Sequence, residues 1–376
     1  MAAGMKKKIV AVMMSIALGM AFLTGCGGAV KETGSAEESA DVRQHDAEAG
    51  AEERQDDAME SADERQDDAE ESVDDGAQTM DIRIGSLKGP TSMGLVYLMN
   101  RAEAGDAEGS YNFTMAAAAD ELLPGMVSGE FDIVLVPANV ASVLYNKTKG
   151  GVAVIDINTL GVLYMVSGDD SVHSMEDLRG RTVCLTGKGT TPDYCLQYLL
   201  AENGLTTDDI TLEYKSEATE VAAVLSENPD LIGILPQPFV TAACMQNEAL
   251  SVVMDLTEEW TKVQGEGGSS LVTGVTVVRK DFLSENPEAV GKFLEEHETS
   301  AAYANENVEA AARLVASYGI IEKAPVAEKA MPYCNITFID GEEMKEALSG
   351  YLEVLFEQDA ASVGGSLPGE DFYYIP

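Results

Sequence analysis

The chain has 376 residues, 45% of them hydrophobic, which is enough for two domains of ordinary size with a substantial core. A formal net charge of −41 excludes roles that lean on nucleic-acid phosphates or anionic lipid headgroups, since both need basic partners. The charge is uneven: residues 31–80 hold 19 Asp or Glu against 4 Lys or Arg, so that stretch alone carries −15.

Residues 1–25 read as a targeting segment rather than as fold. Lys6, Lys7 and Lys8 form a positive start, and Ile9 to Leu23 is an apolar run too short for a comfortable membrane span. The run ends in LTGC, which matches a bacterial lipobox and marks Cys26 as the lipid-bearing N-terminus after cleavage. Within this segment MKKK makes Met5 a more usual start than Met1. Residues 26–80 form an acidic tether. RQHDA and two copies of RQDDA begin at Arg43, Arg54 and Arg65, a period of eleven that is close to three helical turns. The apolar residues there are mostly Ala, so the expectation is a self-repelling, disordered spacer. Four further cysteines, Cys184, Cys195, Cys244 and Cys334, permit three disulfide pairings. Buried free thiols suit a chain of this size better, and no Cys/His spacing points to a metal or other cofactor.

From Asp81 strands and helices alternate. DIRIGSL reads as a strand and SMGLVYLMNRA as a helix; YNFTMAA and DELLPGMVSG repeat the pair. FDIVLVP is a continuous apolar strand, as expected where helices cover both faces of a sheet, and NVASVLYNKTKG is the helix after it. GVAVIDI and GVLYMVS are further strands. After a pause at 168–174 the pattern restarts: RTVCLTG, the helix PDYCLQYLLAENG with Pro192 in its first turn and Gly204 past its end, ITLEYKS, EVAAVLSENP, DLIGILP and the helix QPFVTAACMQN. SSLVTGVTVVRKDFL supplies one more strand, and the remainder is mainly helical. The fold class is α/β: two lobes, each a mostly parallel sheet flanked by helices, joined by a two- or three-strand hinge. Residues 81–170 begin the first lobe, 171–270 form the second, and 271–376 complete the first. The crossings are expected near 168–174 and 268–276.

Two stretches repeat one design. GSLKGPTSMG (85–94) and TGKGTTPDYC (186–195) each follow a strand and open a helix with a lysine, glycines, a proline and hydroxyls. Ligands of open α/β sheets bind beyond the carboxyl ends of the strands, where helix N-termini offer unpaired N–H groups and partial positive charge. Glycine lets the backbone approach closely, and hydroxyls add directional bonds. One corner per lobe gives a ligand two sets of contacts that meet when the lobes close. The candidate ligand-binding residues are Lys88, Gly89, Pro90, Thr91, Ser92, Met93 and Asn139 from the first lobe. The second lobe offers Thr186, Gly187, Lys188, Gly189, Thr190, Thr191 and Gln237. Lys88 and Lys188 suit an acidic group. TGKGTT is not a phosphate-binding P-loop, because its GK is followed by Gly. His173 and His297 lie far in sequence from any acidic or cysteine pattern of ligand spacing. Trp260 and GEGGSS suggest either a cleft rim or an ordinary aromatic packing site.

Over residues 82–374 the chain resembles the solute-binding lipoproteins of ABC importers, in the branch for sulfonates, nitrate and thiamine-pyrimidine precursors. LLPGMVSGEFDIVLVP, SMEDLRGRTVCL, TGVTVVRKDFLSENPEAVGKFLEEH and SVGGSLPGEDFYY carry the resemblance, in that order. It implies a type II periplasmic-binding-protein fold and a small-molecule ligand, anionic or heterocyclic, held in a closing cleft. It further implies a membrane permease with its ATPase as partners, a monomer, no resident cofactor, and an extracytoplasmic place at the cell membrane through Cys26. Enzymes of the menaquinone pathway share this fold. They work in the cytoplasm, whereas this chain carries the lipobox and shows no Ser/His/Asp or paired-carboxylate pattern. A lipoprotein that feeds a sensor rather than a permease is the third reading.

Overall fold

The structure, a computed structural model, describes residues 80–265 and 267–376. The targeting segment, Cys26 and the acidic tether up to residue 79 lie outside the described residues.

Eleven strands form two sheets. They are β1 (Asp81–Leu87), β2 (Ser110–Ala116), β3 (Ile133–Pro137), β4 (Val152–Leu160), β5 (Leu163–Ser167), β6 (Thr182–Thr186), β7 (Thr211–Lys215), β8 (Ile232–Pro236), β9 (Ser251–Asp255), β10 (Val272–Arg279) and β11 (Ile336–Ile339). One sheet runs β2-β1-β3-β10-β4-β11 and the other β7-β6-β8-β5-β9. In the first, β1 is parallel to β2 and β3, while β10 is antiparallel to both β3 and β4. In the second, β6 is parallel to β7 and β8, while β5 is antiparallel to both β8 and β9. Apart from β11, the two sheets therefore have the same topology. With β11 set aside, each holds one reversed strand, and that strand is the one the chain enters after changing sheets.

The local reasons are ordinary ones. Ile133 to Val136 and Ile232 to Leu235 are buried along their whole length, which is why they read as unbroken apolar runs. The helix Thr191–Glu202 starts with Pro192, whose missing N–H costs nothing there, and the chain leaves it through left-handed Gly204 at φ 68°. Ser251 to Asp255 and Leu256 to Gln264 form a strand and a helix that patterning had not marked, and ITFI pairs with β4 at the sheet edge.

The first crossing falls earlier than the expected 168–174. The chain passes from β4 to β5 through Gly161 and Val162, so Leu163 to Ser167 belong to the second sheet. The physical reason is at Gly161, where an added Cβ would come within 2.1 Å of Thr257 Oγ1 and 2.8 Å of Leu271. The second crossing runs from the helix Leu256–Gln264 to β10, beginning a few residues before the expected 268–276. The long helix Gly341–Gln358 then lies against both halves. Its Tyr351 ring is 5.7 Å from Trp260, and its Gly350 sits on Ser269 of the second crossing. Trp260 is fully buried, 4.5 Å from the Tyr198 ring, with its Nε1 donating to Ser269 O at 2.9 Å. It is thus a packing aromatic. All four described cysteines are free thiols.

Candidate ligand site between the two sheets

The first corner follows β1. Lys88 is exposed, and its backbone N–H donates to Ala116 O at 3.0 Å. Gly89 takes φ 137°, a value that excludes other residues there. Pro90 then opens a single helical turn that ends at Met93. The Thr91 hydroxyl donates to Leu87 O at 3.2 Å, and the Ser92 hydroxyl is bonded to Leu87 O and to the Ser86 hydroxyl. Ser92 and Met93 are fully buried. Expected at the ligand, Ser92 turns its hydroxyl inward, and Met93 packs with Val96, Ala301 and Ile336 in the helical core.

The second corner, after β6, is more open. Lys188, Gly189 and Thr190 are exposed, and Thr186, Gly187 and Thr191 half-buried. Gly187 and Gly189 adopt φ 57° and 74°. Thr190 bends its hydroxyl back to Gly187 O at 2.6 Å, so no side chain caps the helix Thr191–Glu202. The loop is held instead by Asp193, which is 1% exposed. Its carboxylate accepts from Gly189 N at 2.7 Å, Gln197 Nε2 at 2.8 Å and Tyr214 OH at 2.8 Å. Burial, and then this bond to Asp193, push the Tyr214 hydroxyl up to about 12. Sequence reasoning missed Asp193: in TTPDYC it looks like any acidic residue in a first helical turn.

Asn139 and Gln237 occupy matching places after β3 and β8. The Asn139 side-chain amide donates to Ser362 O at 3.4 Å. Gln237 is 3% exposed, and its carbonyl accepts from the Thr241 hydroxyl at 2.8 Å. Among the described residues no hydrogen bond joins the two corners directly. The halves meet beside them, on two sides. On one, Tyr194 OH donates to Asp359 Oδ2 at 3.0 Å, and burial, followed by that bond, raises the Tyr194 hydroxyl to about 12. On the other, Tyr164 OH donates to Tyr333 O at 2.8 Å. A groove of about 950 Å³ opens there, with Gln237 in its wall. Asn139 and Tyr194 thus both reach the segment after the helix Gly341–Gln358, whereas Gln237 faces the groove.

Beneath the first corner runs a buried polar chain. His297 Nδ1 lies 3.2 Å from Asp156 Oδ2, Asp156 Oδ1 accepts from the Thr276 hydroxyl at 2.8 Å, and Asn158 Nδ2 donates to Thr276 Oγ1 at 3.1 Å. All four side chains are at most 1% exposed. Gly274 makes room for the chain, since an added Cβ would come within 2.5 Å of both Asn158 Oδ1 and Thr91 Cγ2. His297 therefore does have an acidic partner, 141 residues away and invisible to local spacing. This pair is sealed from solvent and cannot reach a substrate without unpacking. Burial raises Cys195 and Cys334 to about 12, so both stay protonated and make poor nucleophiles. Among the described residues no group of three or more His, Cys, Asp or Glu is placed to hold a metal, and no helix is long and apolar enough to cross a membrane.

The fold is that of periplasmic binding proteins. A solved ABC transporter protein from Parabacteroides distasonis superimposes with a TM-score of 0.65 at 21% identity, covering 78% of this chain and 98% of that one. The periplasmic aliphatic sulphonate binding protein SsuA from Escherichia coli gives 0.63 at 17% identity, covering 79% and 92%. In sequence, a Brucella abortus protein provisionally named a binding protein is 24% identical over 187 residues, 50% of this chain and 56% of that protein. The chain spans about half the length of the curated relatives it matches. The family described as Menaquinone biosynthesis matches residues 82–357, nearly the whole of the two-sheet body. On that match the chain, built on the periplasmic-binding-protein fold, belongs to the Menaquinone biosynthesis family.

Proposed function

We propose that the protein captures a small organic solute by closure of its two halves and delivers it to an ABC permease with its ATPase. It works as a monomer outside the cytoplasm, anchored at the membrane through Cys26. The observation that carries this reading is the shared topology of the sheets, which sets an equivalent strand–loop–helix corner at the carboxyl end of β1 and of β6. The family description points to the alternative, an enzyme. Binding is favoured because the hydroxyls of the first corner are tied to backbone, the His297–Asp156 pair is sealed, and the described thiols of Cys195 and Cys334 are held protonated.

The ligand contacts in this reading are Lys88, Gly89, Pro90, Thr91 and Asn139 from the first half, and Thr186 to Thr191 with Gln237 from the second. Asp193 already occupies the Gly189 amide, so an anionic ligand would rely on Lys88, Lys188 and the uncapped helix start. The test is a thermal-shift screen of alkanesulfonates, heterocyclic vitamins and amino-acid-like compounds, followed by titration calorimetry on the hits. Lys88→Ala and Lys188→Ala should each weaken an anionic ligand several-fold and spare a neutral one. A hit that the protein converts into a new compound, seen by mass spectrometry, would favour the enzyme.

A further inference from the structure

The groove on the Tyr164 side shares Gln237 with the importer reading, but its other features are ones that reading does not use. It lies where the halves adjoin. One wall comes from the helix Phe239–Gln246 and edge strand β9, the other from residues 328–333. Its floor is Tyr164, 4% exposed, hydrogen-bonded across the halves to Tyr333 O. Its rim exposes large apolar side chains: Met245 at 42%, Val252 at 46% and Tyr333 at 55%. Soluble surfaces scatter such residues singly, and a cluster of them around a concavity marks a binding site. The volume of about 950 Å³ suits a small organic molecule. The charge is one-sided, with Glu248, Asp255 and Glu328 lining the groove against Lys329 alone.

We propose that this groove binds a small amphipathic cation, an apolar or aromatic body bearing an amine or quaternary ammonium group. The apolar rim and Val252 take the body. The carboxylates and the exposed ring of Tyr333 attract the charge, since an ammonium over a tyrosine ring gains cation–π energy besides Coulomb attraction. Because the two walls belong to different halves, such a ligand fixes their relative position, so it binds one hinge angle better than others.

The probes are benzyltrimethylammonium and phenylmethanesulfonate, similar in shape and opposite in charge, titrated calorimetrically into the full chain. The cation should bind at least about tenfold more tightly than the anion. Val252→Lys, which adds a positive charge at an exposed edge position, should cost the cation about tenfold in affinity, and Glu328→Gln about threefold. Val127→Lys, an exposed change on the helix Ala119–Ser128, should leave it unaltered. If Val252→Lys lowers the native circular dichroism signal, Met245→Lys serves in its place. Equal affinity for the two probes, or a lysine variant that binds the cation as well as the parent, overturns the proposal. So does a dimer that sediments as such in the parent and dissociates in Val252→Lys, which would assign the groove to a second copy of the chain. A solute held at the corners would respond to Lys88 and Lys188 and ignore Val252, so the groove and the importer reading fail independently.

Discussion

The two corners hold the same place in two sheets of the same topology, yet they are stabilised in different ways. The first is buried and closed on itself: Ser86, Thr91 and Ser92 tie its hydroxyls to Leu87 O and to one another, and Thr91 rests on Gly274. The second is exposed; besides the Thr190 hydroxyl on Gly187 O it is held by one buried carboxylate, Asp193, which gathers the loop amide of Gly189, the side chain of Gln197 and the hydroxyl of Tyr214. The contrast extends to the far ends of the sheets. Asp132, 2% exposed, is clamped by Arg83 and Arg279, whereas Asp169 meets Arg181 near the surface. The corner of the six-stranded half is thus tied through its own hydroxyls, and that of the five-stranded half mainly through one buried carboxylate.

Five variants would break or sharpen that contrast. The largest loss is expected for Asp193→Ala, which strands Gly189 N and Tyr214 OH at once. About 4 kcal/mol should vanish from the urea-unfolding free energy, from several charge-assisted bonds of roughly 1.5–3 kcal/mol each. A loss below about 1 kcal/mol would show that the second corner has another tie. Next is Asp132→Asn, at about 3 kcal/mol near neutral pH, because it weakens a buried ion pair while keeping the shape. Burial alone would raise the Asp132 carboxyl, but the hydrogen bonds from Arg83 and Arg279 outweigh it and hold the group below the usual carboxylate range. A depressed folded value means that the contribution is complete above the unfolded aspartate value of about 4 and is lost as pH falls through the folded one. The gap between parent and Asp132→Asn should therefore shrink in acid. A gap that is flat with pH would assign the loss to packing. Asp169→Asn, at the exposed counterpart, should leave stability nearly unchanged.

Gly274→Ala should cost about 2 kcal/mol, an overpacking penalty set by the 2.5 Å approach to Asn158 and Thr91. Its crystal structure should show the first corner displaced. Tyr194→Phe, which removes one hydrogen bond between the halves, near Asp359, should cost about 1 kcal/mol, the smallest loss expected apart from the nearly neutral Asp169→Asn. A loss nearer that of Asp193→Ala would mean that this bond is a main tie between the halves.

Much of this was legible in the residues, and the gaps have physical causes. Ile133 to Val136 and Ile232 to Leu235 announced themselves because a strand covered on both faces must be apolar throughout. The first crossing was misplaced because GVLYMVS is as apolar as the strand before it, and only the tertiary approach of Thr257 reveals why Gly161 marks the change of sheet. The strand Ser251–Asp255 is an edge strand with its first two residues exposed, so it lacks a continuous apolar run. Both corners were found from their glycines, prolines and hydroxyls. Their opposite internal wiring was not, because Asp193 looks like a routine helix-start acid, and Asp156 and His297 meet only through the fold.

The helix Gly341–Gln358 has a mechanical consequence. Gly350 rides directly on Ser269 of the second crossing, while Tyr351 on the neighbouring position abuts Trp260 of the other half. Sliding one half past the other would drag bulky rings over a point where no methyl group fits, whereas a roll about that contact leaves it intact. The closure proposed above would therefore have to preserve this contact, whose tightest point is a glycine.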